Sequence, residues 1–289
     1  MTRAAQQLTA VGLVLAALVI VYWSVIVGLV DAWSHDDNYS HGFFIVPLAV
    51  YFAWERRRAI AAAPVRPSML GVVVIAFSLF LLVAGMLGAE LFLSRVSIIG
   101  TIAGAILFLF GWPMVRILFF PLAFMLLMVP LPALIFNKIA FPLQLLASQV
   151  GEYTITSMDI PILREGNVLI LANATLEVAE ACSGIRSLVS LFTLGLVFGY
   201  FVDQRVWVRT VIALSAIPVA ILANGMRVAS AGVAAHNFGS AGAEGLFHEF
   251  SGWVVFVLAF LMMFALQRLL QRFVPPPRVQ QTITEGASA

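Results

Sequence analysis

The sequence predicts an all-α polytopic integral membrane protein of about eight transmembrane helices, interrupted by one polar stretch with β character. Three observations predict it. Of 289 residues, 62% are hydrophobic and only 10% charged, with a mean hydropathy of +1.03. A soluble domain carries about 25% charged residues, so this chain cannot coat a water-facing surface. Apolar runs near the ~20 residues that cross a bilayer recur along its length, and basic residues gather at alternate run ends. A soluble enzyme is excluded. So is a nucleic-acid binder, because the pI near 9.0 reflects a net charge of only +2 and the arginines form no continuous face.

The first run, Leu8–Val30, is too long for the core of a secretory signal and lacks a small-x-small cleavage site at its end. It reads as an uncleaved helix. Further spans are expected at His41–Trp54, Met69–Leu87, Phe92–Phe110, Met114–Phe136, Ser183–Val202, Val206–Ala231 and His248–Leu270. The second is short, with Asn38–Ser40 and Arg56–Arg58 as headgroup-zone flanks. Between the fifth and sixth lies Lys138–Ala181, too polar to cross. Its first part, Ile139–Val150, is apolar with Pro142 inside and suits a re-entrant or interfacial helix. Its second part holds Asn167–Ala172, β-branched and apolar, bracketed by turn formers at Gly166 and Asn173; this predicts a short strand or hairpin. Residues 1–273 form the membrane domain, and the proline-rich, polar tail 274–289 reads as disordered.

Basic residues near span ends set orientation. Arg56–Arg58 follow the second span, Arg205 and Arg209 separate the sixth and seventh, and Arg268, Arg272 and Arg278 follow the eighth. With eight helices all three clusters fall on the side of both termini, which is therefore the cytoplasm. Asp31–Ser40 and Lys138–Ala181 then face outward.

The chemistry-bearing residues lie near that outer side. Cys182, the single cysteine, sits where the outer loop enters the sixth helix in EACSGIRSL (Glu180–Leu188). Unpaired N–H groups and the positive end of the helix dipole lower a thiol's pKa there, and the thiolate is the nucleophile. Arg186, one turn on, adds positive charge, or packs and pairs with Glu180 or Glu177. The plain alternative is a small packing residue. Arg227, in NGMRV (Asn224–Val228), belongs near the outer end of the seventh helix, with Asn224 three residues before it on the same face. A guanidinium in an apolar helix faces a protein interior or polar cavity, unless it snorkels to headgroups. His248, in FHEFSGW (Phe247–Trp253), opens the eighth helix as a candidate acid or base; the alternative is a hydrated interfacial histidine. His41, in NYSHGFFIVPL (Asn38–Leu48), opens the second. His236 reads as a loop residue and stands outside the set. A nucleophile, a proton donor and a cation for a developing oxyanion describe acyl transfer. One cysteine and four dispersed histidines give no closed metal-ligand spacing, and no cofactor is expected.

These runs, EACSGIRSL, NGMRV, FHEFSGW and NYSHG, in that company and with LREGN (Leu163–Asn167) ahead of the cysteine, resemble the exosortases, the bacterial branch of a family of polytopic cysteine enzymes. The resemblance covers about Asp31 to Trp253. It implies a multi-pass protein of the bacterial inner membrane with its active site facing the periplasm, and a short periplasmic β segment before the catalytic cysteine. By the same resemblance Cys182 is the nucleophile, Arg227 its arginine partner and His248 the third member, a position where archaeal relatives carry arginine. Substrates would be membrane-anchored proteins of the PEP-CTERM type, with a Pro-Glu-Pro-like motif, a transmembrane helix and a basic tail. Cleavage would be coupled to transfer to an acceptor, in a setting of exopolysaccharide production. A rival reading of the residues alone is a transporter or flippase for a lipid-linked saccharide, with the arginines on phosphate; another is a non-catalytic membrane subunit of a polysaccharide machine.

Overall fold

The computed structural model describes residues 3–172, 174–178, 185–203, 205–239 and 246–273. Its elements are α1 (Arg3–His35), α2 (Gly42–Glu55), α3 (Arg57–Ala62), α4 (Leu70–Leu87), α5 (Leu91–Leu109), α6 (Trp112–Phe124) and a 3₁₀ turn (Met125–Met128). There follow α7 (Ala133–Thr156), β1 (Ile162–Glu165), β2 (Val168–Leu171), β3 (Thr175–Glu177), α8 (Ile185–Val202), α9 (Val206–Phe238) and α10 (Leu246–Phe273). The tail expected to be disordered lies outside the described residues. The chain is a multi-pass membrane protein. Among the described residues six helices are long and apolar enough to cross, and Gly42–Glu55, Trp112–Met128 and Arg186–Val202 are shorter apolar helices. The expected all-α polytopic fold is observed, the second expected span is the short helix Gly42–Glu55, and Ala133–Thr156, in the stretch expected not to cross, is among the six.

The largest departure is in the expected fifth span. Met114–Phe136 is broken: α6 ends at Phe124, the 3₁₀ turn tightens, and α7 starts only at Ala133. Pro130 and Pro132 explain it, since each lacks an N–H and the residue before a proline is pushed out of helical backbone. The expected re-entrant piece Ile139–Val150 is correspondingly part of one 24-residue helix that carries Pro142 inside it. His236, expected in a loop, belongs to α9, which runs seven residues past the predicted end at Ala231.

Two compact units divide the chain at Lys138/Ile139. In the first, α4 and α5 form a packed hairpin, and α1 is tied to α5 by the Tyr22 hydroxyl, 2.7 Å from Thr101 Oγ1. The Ser97 hydroxyl donates to Tyr22 at 3.1 Å. Arg95, only 9% exposed, donates to the Gly28 carbonyl at 3.1 Å. Phe52 of α2 meets Phe120 and Phe124 of α6 edge-on, with centroids 5.1 and 5.3 Å apart.

In the second unit α8 and α10 pack along α9. Leu191, Ile212, Ala216, Ala220, Ala259 and Met263 lie at the centre of that contact. Small residues let the backbones approach, which is how helices gain contact where lipid already satisfies apolar surface. The same device joins α9 to α7: a Cβ at Gly225 would collide with Val150, and one at Gly151 would stand 2.8 Å from Val228.

The predicted strand is the centre of a three-stranded antiparallel meander, β1-β2-β3. Gly166, at φ +66, and Asn167 make the two-residue turn between β1 and β2, as a glycine in the first turn position allows. Leu169 and Val178 turn inward onto Ala147 of α7 and Val228 of α9. Asn173, the expected far bracket, lies outside the described residues.

Candidate active site

Of the seven residues singled out from sequence, Cys182 and Glu180 lie outside the described residues. The expectation that Cys182 occupies a helix cap or first turn lies there with them. α8 is described from Ile185. Arg186 is its second residue and its side chain is exposed.

Arg227 is the best-defined member. α9 continues to Phe238, so Arg227 sits eleven residues from the helix end, about 16 Å along the axis. It is deeper in the helix than the sequence boundary implied. Its flanking residues hold it there. Gly225 and Val228 are pinned against α7, and the Ser230 hydroxyl donates back to the Arg227 carbonyl at 2.8 Å. Asn224, 3% exposed, occupies the same face one turn earlier. The half-buried guanidinium crosses to α10 and lies over Gly252. A Cβ built at Gly252 would stand 3.4 Å from Nη2 and 3.5 Å from Cζ. Position 248 is in the first turn of α10, four residues and one helical turn before Gly252.

The structure therefore brings Asn224 and Arg227 together on α9 and carries the guanidinium to the α10 backbone one turn from position 248. Gly252 is the residue that sequence reasoning missed. Its signal was a glycine within an otherwise apolar helix, where the missing side chain usually marks a close approach.

His41 belongs to the first unit. It forms the N-cap of α2, and its Nε2–H donates to the Leu127 carbonyl at 3.1 Å. Beside it the Trp33 indole N–H donates to the Met128 carbonyl at 2.9 Å. Both satisfy carbonyls that the broken helix before Pro130 leaves without intrahelical partners. These bonds give His41 a structural role, independent of any chemistry.

LREGN also acquires a physical role. Arg164 Nε donates to Glu152 Oε2 of α7 at 2.6 Å. The Ser148 hydroxyl donates to the Gly166 carbonyl at 3.0 Å, and Asn167 Nδ2 donates to the Val178 carbonyl at 3.2 Å. The motif is the turn of the meander and its clamp onto α7, from which β3 leads toward Cys182.

The family model described as transmembrane exosortase matches residues 33–265, a stretch that includes all seven singled-out positions. No curated protein and no solved structure matches the chain.

Proposed function

The chain belongs to the transmembrane exosortase family, and from that premise we propose that it is a membrane-embedded cysteine peptidase or transpeptidase acting on C-terminal sorting signals of the PEP-CTERM type. The observation that carries the reading is the placement of Arg227. A guanidinium among apolar helices is expensive and persists where it faces a polar partner or cavity. This one lies on α10 a turn from His248, on the unit that also carries the strand leading to Cys182.

In the proposed reaction the Cys182 thiolate attacks the scissile carbonyl carbon, and Arg227 donates hydrogen bonds to the resulting oxyanion. The C–N bond breaks as protonated His248 delivers its proton to the leaving amine, giving a thioester on Cys182. An acceptor amine, hydroxyl or water then attacks the thioester and loses its proton to His248, and the thiolate leaves. Arg186, Asn224 and Glu180 are the supporting residues of the same proposal. The basic clusters at Arg56–Arg58, Arg205/Arg209 and Arg268/Arg272 support termini in the cytoplasm and a site on the periplasmic side of the inner membrane. A substrate helix with a basic tail would then present its scissile bond just outside the bilayer. The acceptor and the exopolysaccharide setting belong to the same proposal.

The test follows a tagged reporter with a Pro-Glu-Pro-type C-terminal signal in membranes carrying the wild-type chain or Cys182→Ala. A shorter product only with wild type is expected. Equal processing in both removes Cys182 as nucleophile and moves a transport or subunit role ahead. Arg227→Ala should lower the processing rate by about 10²–10³-fold, the loss typical of one oxyanion donor.

A further inference from the structure

We propose that one end of the first unit, built by the α2–α3 corner and the start of α6, is a binding surface for anionic phospholipid headgroups. Such a surface belongs to the membrane fold and needs no peptidase chemistry.

Five arginines meet there. Arg56 caps α2, Arg57 and Arg58 open α3, Arg66 lies in the linker to α4, and Arg116 is in the second turn of α6. Two hydrogen bonds bring these segments together. Arg56 Nη1 donates to the Ile117 carbonyl at 2.6 Å, next in sequence to Arg116. The Arg66 N–H donates to the Phe110 carbonyl at 2.9 Å. Gly111 follows at φ +87, and a Cβ there would collide with the Arg66 carbonyl, so glycine is what lets the linker lie across the start of α6.

The charge at this end is concentrated and unneutralised. The whole chain nets only +2, yet segments 54–66 and 110–117 carry these five arginines against one carboxylate, Glu55. Arg57, Arg58, Arg66 and Arg116 are exposed, and none of the four is paired with a carboxylate among the described residues. The basic cluster between α8 and α9 is different. There Arg205 holds the Asp203 carboxylate, and Arg209 bonds the Asp203 carbonyl. Like charges fixed side by side repel, so the first unit gains from an anionic partner that spans several of them.

The surroundings of the charges say which anion. Arg57 Cζ stands 4.1 Å from the centroid of the Trp54 ring and Arg116 Cζ 5.8 Å from that of Trp112. Trp54 is 59% exposed and Trp112 54%, and an exposed indole at the end of a membrane helix sits at headgroup level. α3 lies between them in the chain and buries no residue. Guanidinium groups at that depth face the phosphates of the bilayer, and each one near an anionic membrane surface strengthens the attraction about fivefold.

The experiment titrates the purified full chain in uncharged detergent with phosphatidylglycerol, with phosphatidylcholine and with inorganic phosphate, and reads the rise in melting temperature. A saturable rise with phosphatidylglycerol alone is expected. Arg58→Gln combined with Arg116→Gln should weaken its apparent Kd about 25-fold, whereas lysine at both positions should keep it. Arg268→Gln combined with Arg272→Gln removes the same charge from α10 and should leave the Kd unchanged. A further measurement needs no variant. Raising salt from about 0.1 to 1 M cuts the screening length from about 10 to 3 Å and should weaken wild-type binding at least tenfold. Equal responses to the two lipids, equal weakening by the two glutamine pairs, or salt-independent binding would each overturn the surface. A matching response to inorganic phosphate would overturn lipid as its ligand.

Discussion

At the scale of single residues, Arg227 dominates because its charge has to be accommodated among apolar helices. The accommodation is Gly252, which offers backbone in place of a side chain under the guanidinium. At 3.4 Å a methyl group makes ordinary contact, so Gly252→Ala should be tolerated. Gly252→Leu, by contrast, should displace the guanidinium and lower reporter processing at least tenfold with the protein still inserted in membranes, measured by product formation per inserted chain. Unchanged processing in Gly252→Leu would show that the guanidinium is not needed where it lies. Charged and thiol residues were legible in the sequence because each stands out against an apolar background. Gly252 was not, since nothing in a one-dimensional pattern says which neighbour approaches a small residue. The structural role of His41 was hidden for the same reason: its acceptor, Leu127, is distant in sequence.

At the scale of elements, the turn between α8 and α9 carries an ion pair. Arg205 Nη2 donates to Asp203 Oδ2 at 2.6 Å, and Arg209 Nε donates to the Asp203 carbonyl at 2.6 Å. The hydrogen bond from Arg205 holds the Asp203 carboxyl below the ordinary carboxylate range, against the opposing effect of burial. A depressed carboxylate pKa stabilises the fold above the unfolded-state value, and that contribution is lost as pH falls through the folded value. Asp203→Asn should therefore lower the melting temperature at pH 7, and the gap from wild type should close as pH drops below about 4. A gap that stays constant with pH would assign Asp203 a packing role instead.

The meander was legible at this scale from β-branched residues between turn formers. Its third strand was not, being only three residues long. The break at Pro130 and Pro132 was present in the sequence but masked by the apolar run around it.

At the scale of the whole molecule, the question is which loops face which compartment. The arginine clusters predict that the Asp36–Asn38 loop is periplasmic and that Ala63–Ser68 is cytoplasmic. Single cysteines introduced at Asp37 and at Ser68 on a Cys182→Ala background test this with a membrane-impermeant thiol reagent. Labelling of position 37 alone in intact cells with a permeabilised outer membrane is expected; labelling of position 68 alone would invert the orientation of these two loops.

Composition by itself determined that the chain lives in a membrane, because a surface with so few charges has no stable state in water. Four short motifs determined its family, because a thiol, an arginine and a histidine in that order survive as readable letters whatever the packing. Only the tertiary structure decided that the fifth apolar run is two helices. Only it decided that Arg227 rests on Gly252, and that Leu169 and Val178 turn inward onto α7 and α9. Helix crossings and strand register depend on contacts between residues far apart in the chain, and those contacts leave no period in the sequence to read.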